Sequence, residues 1–149
     1  MNRNIGRLFV FFVFAALILS TVSANAATCS LASVHGTYAG ERVGTIVKKM
    51  PGYPPPPAPY DEVLILTADG AGSFYGKAAV NIGGLSFQDF SFAGTYTVNS
   101  DCTGTLTVDV GGGLVLHEWM VVIDGGKRLV STETDDFAVV HLTAQKLGD

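Results

Sequence analysis

Two glutamates, Glu118 and Glu133, are the residues of this chain best spaced for acid–base chemistry. If Gly125-Gly126 makes the two-residue turn of a hairpin, they fall directly opposite one another on adjacent strands. Two carboxylates side by side on an apolar face repel, so one would keep its proton with a raised pKa. Such a pair can give and take a proton on an enclosed substrate. The plainer alternative puts both in water at a rim, or shifts the register by one, and on the sequence alone we prefer it.

Other reactive residues are less suggestive. His117 and His141 share the face opposite Glu118 but are separated by a strand, and His35 is distant in sequence. No histidine pair has ligand spacing, so neither a metal nor a cofactor is expected. No Gly-x-Ser-x-Gly elbow surrounds a serine, and the glycine-rich stretches precede no helix that could cradle a phosphate. Trp119, the only tryptophan, reads as a core or interface anchor or as a stacking surface for a ligand.

Cys29 and Cys102 are the only cysteines, 73 positions apart. In an exported protein a lone pair is expected to form a disulfide, which the chain-entropy model values at about 4 kcal/mol for such a loop. Export is what the first 26 residues announce. Arg3 and Arg7 precede an unbroken apolar run, Leu8 to Leu19, and Ala24-Asn25-Ala26 supplies the small-x-small cleavage pattern. The run falls short of the roughly 20 residues that span a bilayer. Residues 1–26 are therefore expected to be a signal peptide, and the mature chain, 27–149, a periplasmic or secreted protein without an integral membrane segment.

The remaining 123 of 149 residues suffice for one domain with a sizeable core. Loss of Arg3 and Arg7 leaves seven basic residues against 13 acidic ones, a net charge of −6. That balance gives no footprint for nucleic acid. Arg42, Lys48 and Lys49 form the densest basic group and read as a solvated strand edge.

Segments near 36–48, 61–68, 72–81, 85–98, 103–110, 114–123, 127–134 and 137–145 are rich in β-branched and aromatic residues. Turn signals such as Asp69-Gly70, Gly83-Gly84 and Gly111-Gly112-Gly113 separate them. The expected fold is all-β, an antiparallel up-and-down meander of about eight strands closed into a barrel, with a two-sheet sandwich as the alternative. All six prolines lie between Pro51 and Pro59, so a stiff loop over 50–60 interrupts the meander, either as a docking surface or as a tolerated insertion.

Alternation puts Phe90, Phe92, Tyr96 and Val98 on one face, with Gly94 as a gap, and Leu106, Val108 and Val110 on another. A turn at Ser100-Asp101-Cys102 sets Tyr96 beside Leu106 and Val98 beside Gly104. In the last three strands both faces are apolar. The outer one would then need a cover, for which a second copy of the chain is the natural candidate.

Cys29-Ser30-Leu31, Gly36-Thr37-Tyr38, the run from Gly94 to Leu106, and Asp124-Gly125-Gly126-Lys127 together resemble a group of small exported bacterial proteins of unknown function. The resemblance implies the compartment and the disulfide, and no activity. The cysteine-bearing opening is also similar to avidins, which are eight-stranded barrels. Avidins bring several tryptophans to biotin and this chain has one, so biotin binding is not implied. Allene oxide cyclase and dirigent-type barrels are similar in architecture only.

From these readings the leading expectation is non-catalytic binding of a small apolar ligand, with Phe90, Phe92, Tyr96, Glu118 and Trp119 as pocket residues. The alternatives are a structural or interaction protein of the cell envelope, and an isomerase or cyclase resembling allene oxide cyclase that uses Glu118 and Glu133. An outer-membrane barrel fits poorly, since it needs a polar interior and longer strands.

Overall fold

A computed structural model describes residues 28–148; the expected signal peptide lies outside the described residues. Eight strands follow in order: β1 (His35–Ile46), β2 (Ala58–Asp69), β3 (Ser73–Ile82), β4 (Leu85–Val98), β5 (Thr103–Asp109), β6 (Val115–Ile123), β7 (Arg128–Glu133) and β8 (Ala138–Lys146). Each pairs antiparallel with the next, and β8 returns to β1, so the sheet closes into a barrel rather than a sandwich. Closure leaves no strand edge unpaired.

Alternation then sorts the side chains. Tyr38, Leu64, Leu66, Phe74, Phe92, Tyr96, Leu106, Met120 and Leu129 point inward and are buried. Val63, Ile65, Tyr75, Trp119 and Val139 stand on the exposed outer surface. Tyr96 pairs with Leu106 and Val98 with Gly104, as the turn chemistry requires. The inward gap at Gly94 is filled from the neighbouring strand. A Cβ there would lie 2.5 Å from Phe74 Cζ and 2.1 Å from the Thr107 carbonyl oxygen, so only glycine lets that ring lie across the strand.

One end of the barrel is plugged by the chain that precedes β1. A short 3₁₀ turn, Leu31–Ser33, crosses it. The Tyr96 hydroxyl donates to the Val34 carbonyl at 2.7 Å, and the Tyr38 hydroxyl donates to the Gly126 carbonyl at 2.7 Å. The Cys29–Cys102 disulfide ties this plug to the β4–β5 turn.

Two connections depart from expectation. β2 begins at Ala58, so Pro59 and Tyr60 belong to the strand and not to the proline loop. Proline is tolerated there because it sits in the first residues of a strand. Asp135-Asp136 is also a turn signal in the sequence and, as a two-residue turn, is expected to pair Thr132 with Val139, whereas Thr132 pairs with His141. The shift is even, so every side chain keeps its face.

Candidate functional site

The open end of the barrel is built from the C-terminal ends of the odd strands and the N-terminal ends of the even ones. Here the interior is not filled. A cavity of about 540 Å³ is walled by Ile46, Val80, Ile82, Phe90, Leu116 and Val140, among others, and floored by Arg42, Tyr60 and Glu133. The proline-rich loop arches over its mouth, where Met50, Pro51 and Tyr53 complete the lining. The Tyr53 and Phe87 rings meet there, with centroids 6.2 Å apart. Phe87 reaches the mouth because β4 bulges. The register shifts between Ala78↔Phe90 and Val80↔Phe87, and Asp89 takes a φ of 54°. The extra residue lets both phenylalanines pair with inward positions of β3 despite their odd spacing.

The floor is a layer of charge across the barrel. Arg42, on β1, is only 5% exposed. Its Nη1 lies 3.3 Å from Glu62 Oε2, on the neighbouring β2. Its Nη2 reaches two strands at the other side, 2.7 Å from Glu118 Oε1 on β6 and 2.9 Å from Glu133 Oε2 on β7. The Tyr60 hydroxyl donates to Glu62 Oε2, and the Ser131 hydroxyl donates to Glu118 Oε2. Below this layer a void of about 40 Å³ separates it from the packed end, lined by Glu62, Glu118, Phe74 and Phe92 among others.

The layer holds one guanidinium and three carboxyl groups, so full ionisation would bury an excess of negative charge. Burial would weaken the Arg42 guanidinium's hold on its proton, but the surrounding negative groups, Glu118 first, outweigh that and bind the proton more firmly. Burial raises the Tyr60 phenol well above its ordinary range, against the pull of Arg42. It raises Glu62 as well, although Arg42 and the Tyr60 hydroxyl oppose it. Glu133 is pushed up to about 8, by burial first and then by a hydrogen bond with Asp135, and Arg42 only partly offsets these. Two carboxyl groups can share a hydrogen bond only when one of them carries a proton, and Glu133 carries it. Burial would raise Asp135 too, but hydrogen bonds from Glu133 and His117 hold its carboxyl below the ordinary value. The His117 amide donates to Asp135 Oδ2 at 2.7 Å.

Glu118 and Glu133 are Cα partners, as the hairpin register requires. Neither stands in water at a rim: the Glu118 side chain is 2% exposed and the Glu133 side chain 1%. Of the five residues expected in a pocket, Phe90 lines the open cavity. Glu118 belongs to the charged layer and, with Phe92, lines the small void beneath it. Tyr96 seals the opposite end, bonded to the plug. Trp119 is 47% exposed on the outer surface, because it sits one residue from the inward Glu118. Arg42 is an interior residue and not part of the solvated edge expected from the sequence. The signal was available, since Tyr38, Arg42 and Ile46 share one parity on β1, as do Glu62, Leu64 and Leu66 on β2. Among the described residues no group of three or more His, Cys, Asp or Glu is arranged to hold a metal ion, and no helix is long and apolar enough to cross a membrane. Comparison with known proteins yields no matching family model and no matching curated protein.

Proposed function

We propose that this protein is an exported binder that holds one small, largely apolar molecule in the open half of its barrel without transforming it. The supporting observation is the cavity itself. At about 540 Å³ it has the size of a small-molecule site, its walls are apolar, and its few polar groups converge on the floor. A barrel of eight strands has room for side chains or for one small ligand, and here the open end is left unfilled. A periplasmic or extracellular setting suits the disulfide.

The test is a native mass spectrum of the protein purified from the periplasm without denaturant. A small extra mass shed on activation is the expected result, and Val140→Trp, which fills the cavity, should abolish it. Trp119→Phe should leave it unchanged. A bare protein that takes up nothing from a lipid extract would sink the binding reading.

A second reading is proton transfer on the bound molecule, favoured by the contrast between Glu118, engaged by both Arg42 and Ser131, and the proton-bearing Glu133. Incubation in D₂O distinguishes the two. Deuterium appearing on carbon in the recovered ligand, and lost with Glu133→Gln, would mark an enzyme; an unlabelled ligand would mark a binder.

A further inference from the structure

We infer that the molecule held in the open half carries a cationic amine, seated against Glu133 on the cavity floor, with its apolar body against the rings and aliphatic walls above. This rests on the binding reading and names the chemistry of the ligand's polar end.

The floor first excludes an anionic head. Both terminal nitrogens of Arg42 are already engaged, Nη1 by Glu62 and Nη2 by Glu118 and Glu133. A ligand carboxylate would be the fourth carboxyl group around a single guanidinium in a buried layer, where like charges are costly. Of the Arg42 nitrogens only Nε lacks an acceptor among the described residues, and a single N–H does not offset a fourth carboxylate in that layer.

The same layer sets three carboxyl groups against one guanidinium. Glu133 is the only carboxyl group of the three that lines the open cavity. Its side chain is 1% exposed, and its Oε1 accepts no hydrogen bond from any N–H or O–H of the described residues. The groups that act on it are Arg42 from β1, Glu118 from β6 and Asp135 after β7, with His117 behind Asp135, while Tyr60 and Glu62 from β2 lie at the other terminal nitrogen of Arg42. Arg42 is the one fixed cation in that ring, against four acids. An ammonium group entering above Glu133 would take the place of the proton that neutralises this carboxyl group, leaving the charge of the layer unchanged while giving Oε1 an N–H donor. Tyr53, Tyr60, Phe87, Phe90 and Phe137 all line the same cavity, and aromatic faces attract a desolvated cation.

Binding is then coupled to a proton. Glu133 enters the complex as a carboxylate, and the proton it held passes to solvent, so an amine cation replaces a proton in the layer. An uncharged ligand would displace none.

The experiment compares octylamine, 1-octanol and octanoate by titration calorimetry at pH 7, in two buffers of different ionisation enthalpy. Octylamine should bind at least about tenfold more tightly than octanol, the worth of one charge-assisted hydrogen bond, and octanoate should bind least. Only the amine should show a buffer-dependent heat, equivalent to release of close to one proton. Glu133→Gln should equalise amine and alcohol without weakening the alcohol. If that variant does not fold, the wild-type protein still decides: octylamine affinity should rise between pH 6 and 8.5, where the amine stays charged, while octanol affinity stays flat. Equal affinity for amine and alcohol, or tighter octanoate, overturns the amine assignment while leaving the cavity a binding site. No binding of any of the three probes overturns the binding reading itself.

Discussion

Glu118 and Glu133 are directly paired across β6 and β7 and share one nitrogen of Arg42, at 2.7 and 2.9 Å. Their environments nevertheless differ. The second oxygen of Glu118 accepts from Ser131, below the layer, whereas the second oxygen of Glu133 accepts from no N–H or O–H among the described residues and its carboxyl group turns to Asp135. One pair of like residues is thereby split into a carboxyl group held by Arg42 and Ser131 and a proton carrier, Glu133.

Removing the cation should expose the cost of that arrangement. Arg42→Met leaves three buried carboxyl groups without a counter-charge, and breaking a buried pair by deleting one partner costs about 3–5 kcal/mol. Urea unfolding at pH 8 should show a loss of that order. At pH 5, where the carboxyl groups can be protonated, much of it should return. An equal loss at both pH values would mean that Arg42 contributes packing and not charge.

Stability of the unaltered protein should fall as pH rises from about 5 to 8. The folded state keeps the Glu133 proton up to about pH 8, while the unfolded chain releases it near 4.5, so the folded state binds more protons throughout that window. The raised Glu62 acts in the same direction. The slope should stay below the roughly 1.4 kcal/mol per pH unit of one full proton, because the carboxyl group borders an open cavity. Glu133→Gln should flatten the profile of urea midpoints against pH, and an unflattened profile would assign the effect elsewhere. Asp69, Asp101 and Asp135, all held below their ordinary values, contribute in the opposite sense, and only as pH falls below about 3.8.

Gly94→Ala should destabilise by about 1–3 kcal/mol, the usual range for overpacking. The added methyl would meet Phe74 Cζ and the Thr107 carbonyl oxygen. Phe74→Leu in the same chain should recover part of the loss, giving a favourable coupling in a double-mutant cycle. Strictly additive effects would show that the ring and the glycine do not share one space.

Reduction of Cys29–Cys102 should lower stability by up to about 4 kcal/mol, measured as the urea midpoint with and without a thiol-free reductant. The bond joins the plug to the β4–β5 turn, at the end opposite the cavity. Ligand affinity of the reduced but still folded protein should therefore be unchanged. A parallel loss of affinity would show that the plug supports the cavity as well as the fold.

The strands, their order and most of the register are legible in the chain because period-two alternation and turn residues act over a few neighbours. Phe92, Tyr96 and Leu106 face inward for that reason alone, and the Glu118–Glu133 pairing follows from one hairpin turn. The even shift at the β7–β8 connection did not disturb this, because a two-residue slip preserves faces. The bulge that turns Phe87 inward left no such local mark, since Gln88-Asp89 reads as ordinary strand.

An eight-stranded β-domain with one candidate disulfide, and the faces its residues share outside the β4 bulge, can be read along the chain. Closure of the sheet, the fold of the proline loop over one mouth and the cavity left at that end emerge only in three dimensions. Tertiary structure also decided the fate of Arg42. On β1 its parity says only that it points inward. Its two pairs at the far side require β6 and β7 to stand across the barrel, and closure of a twisted sheet brings them there. A charged layer needs partners from strands as distant in sequence as β1 and β7, and no local pattern encodes that distance.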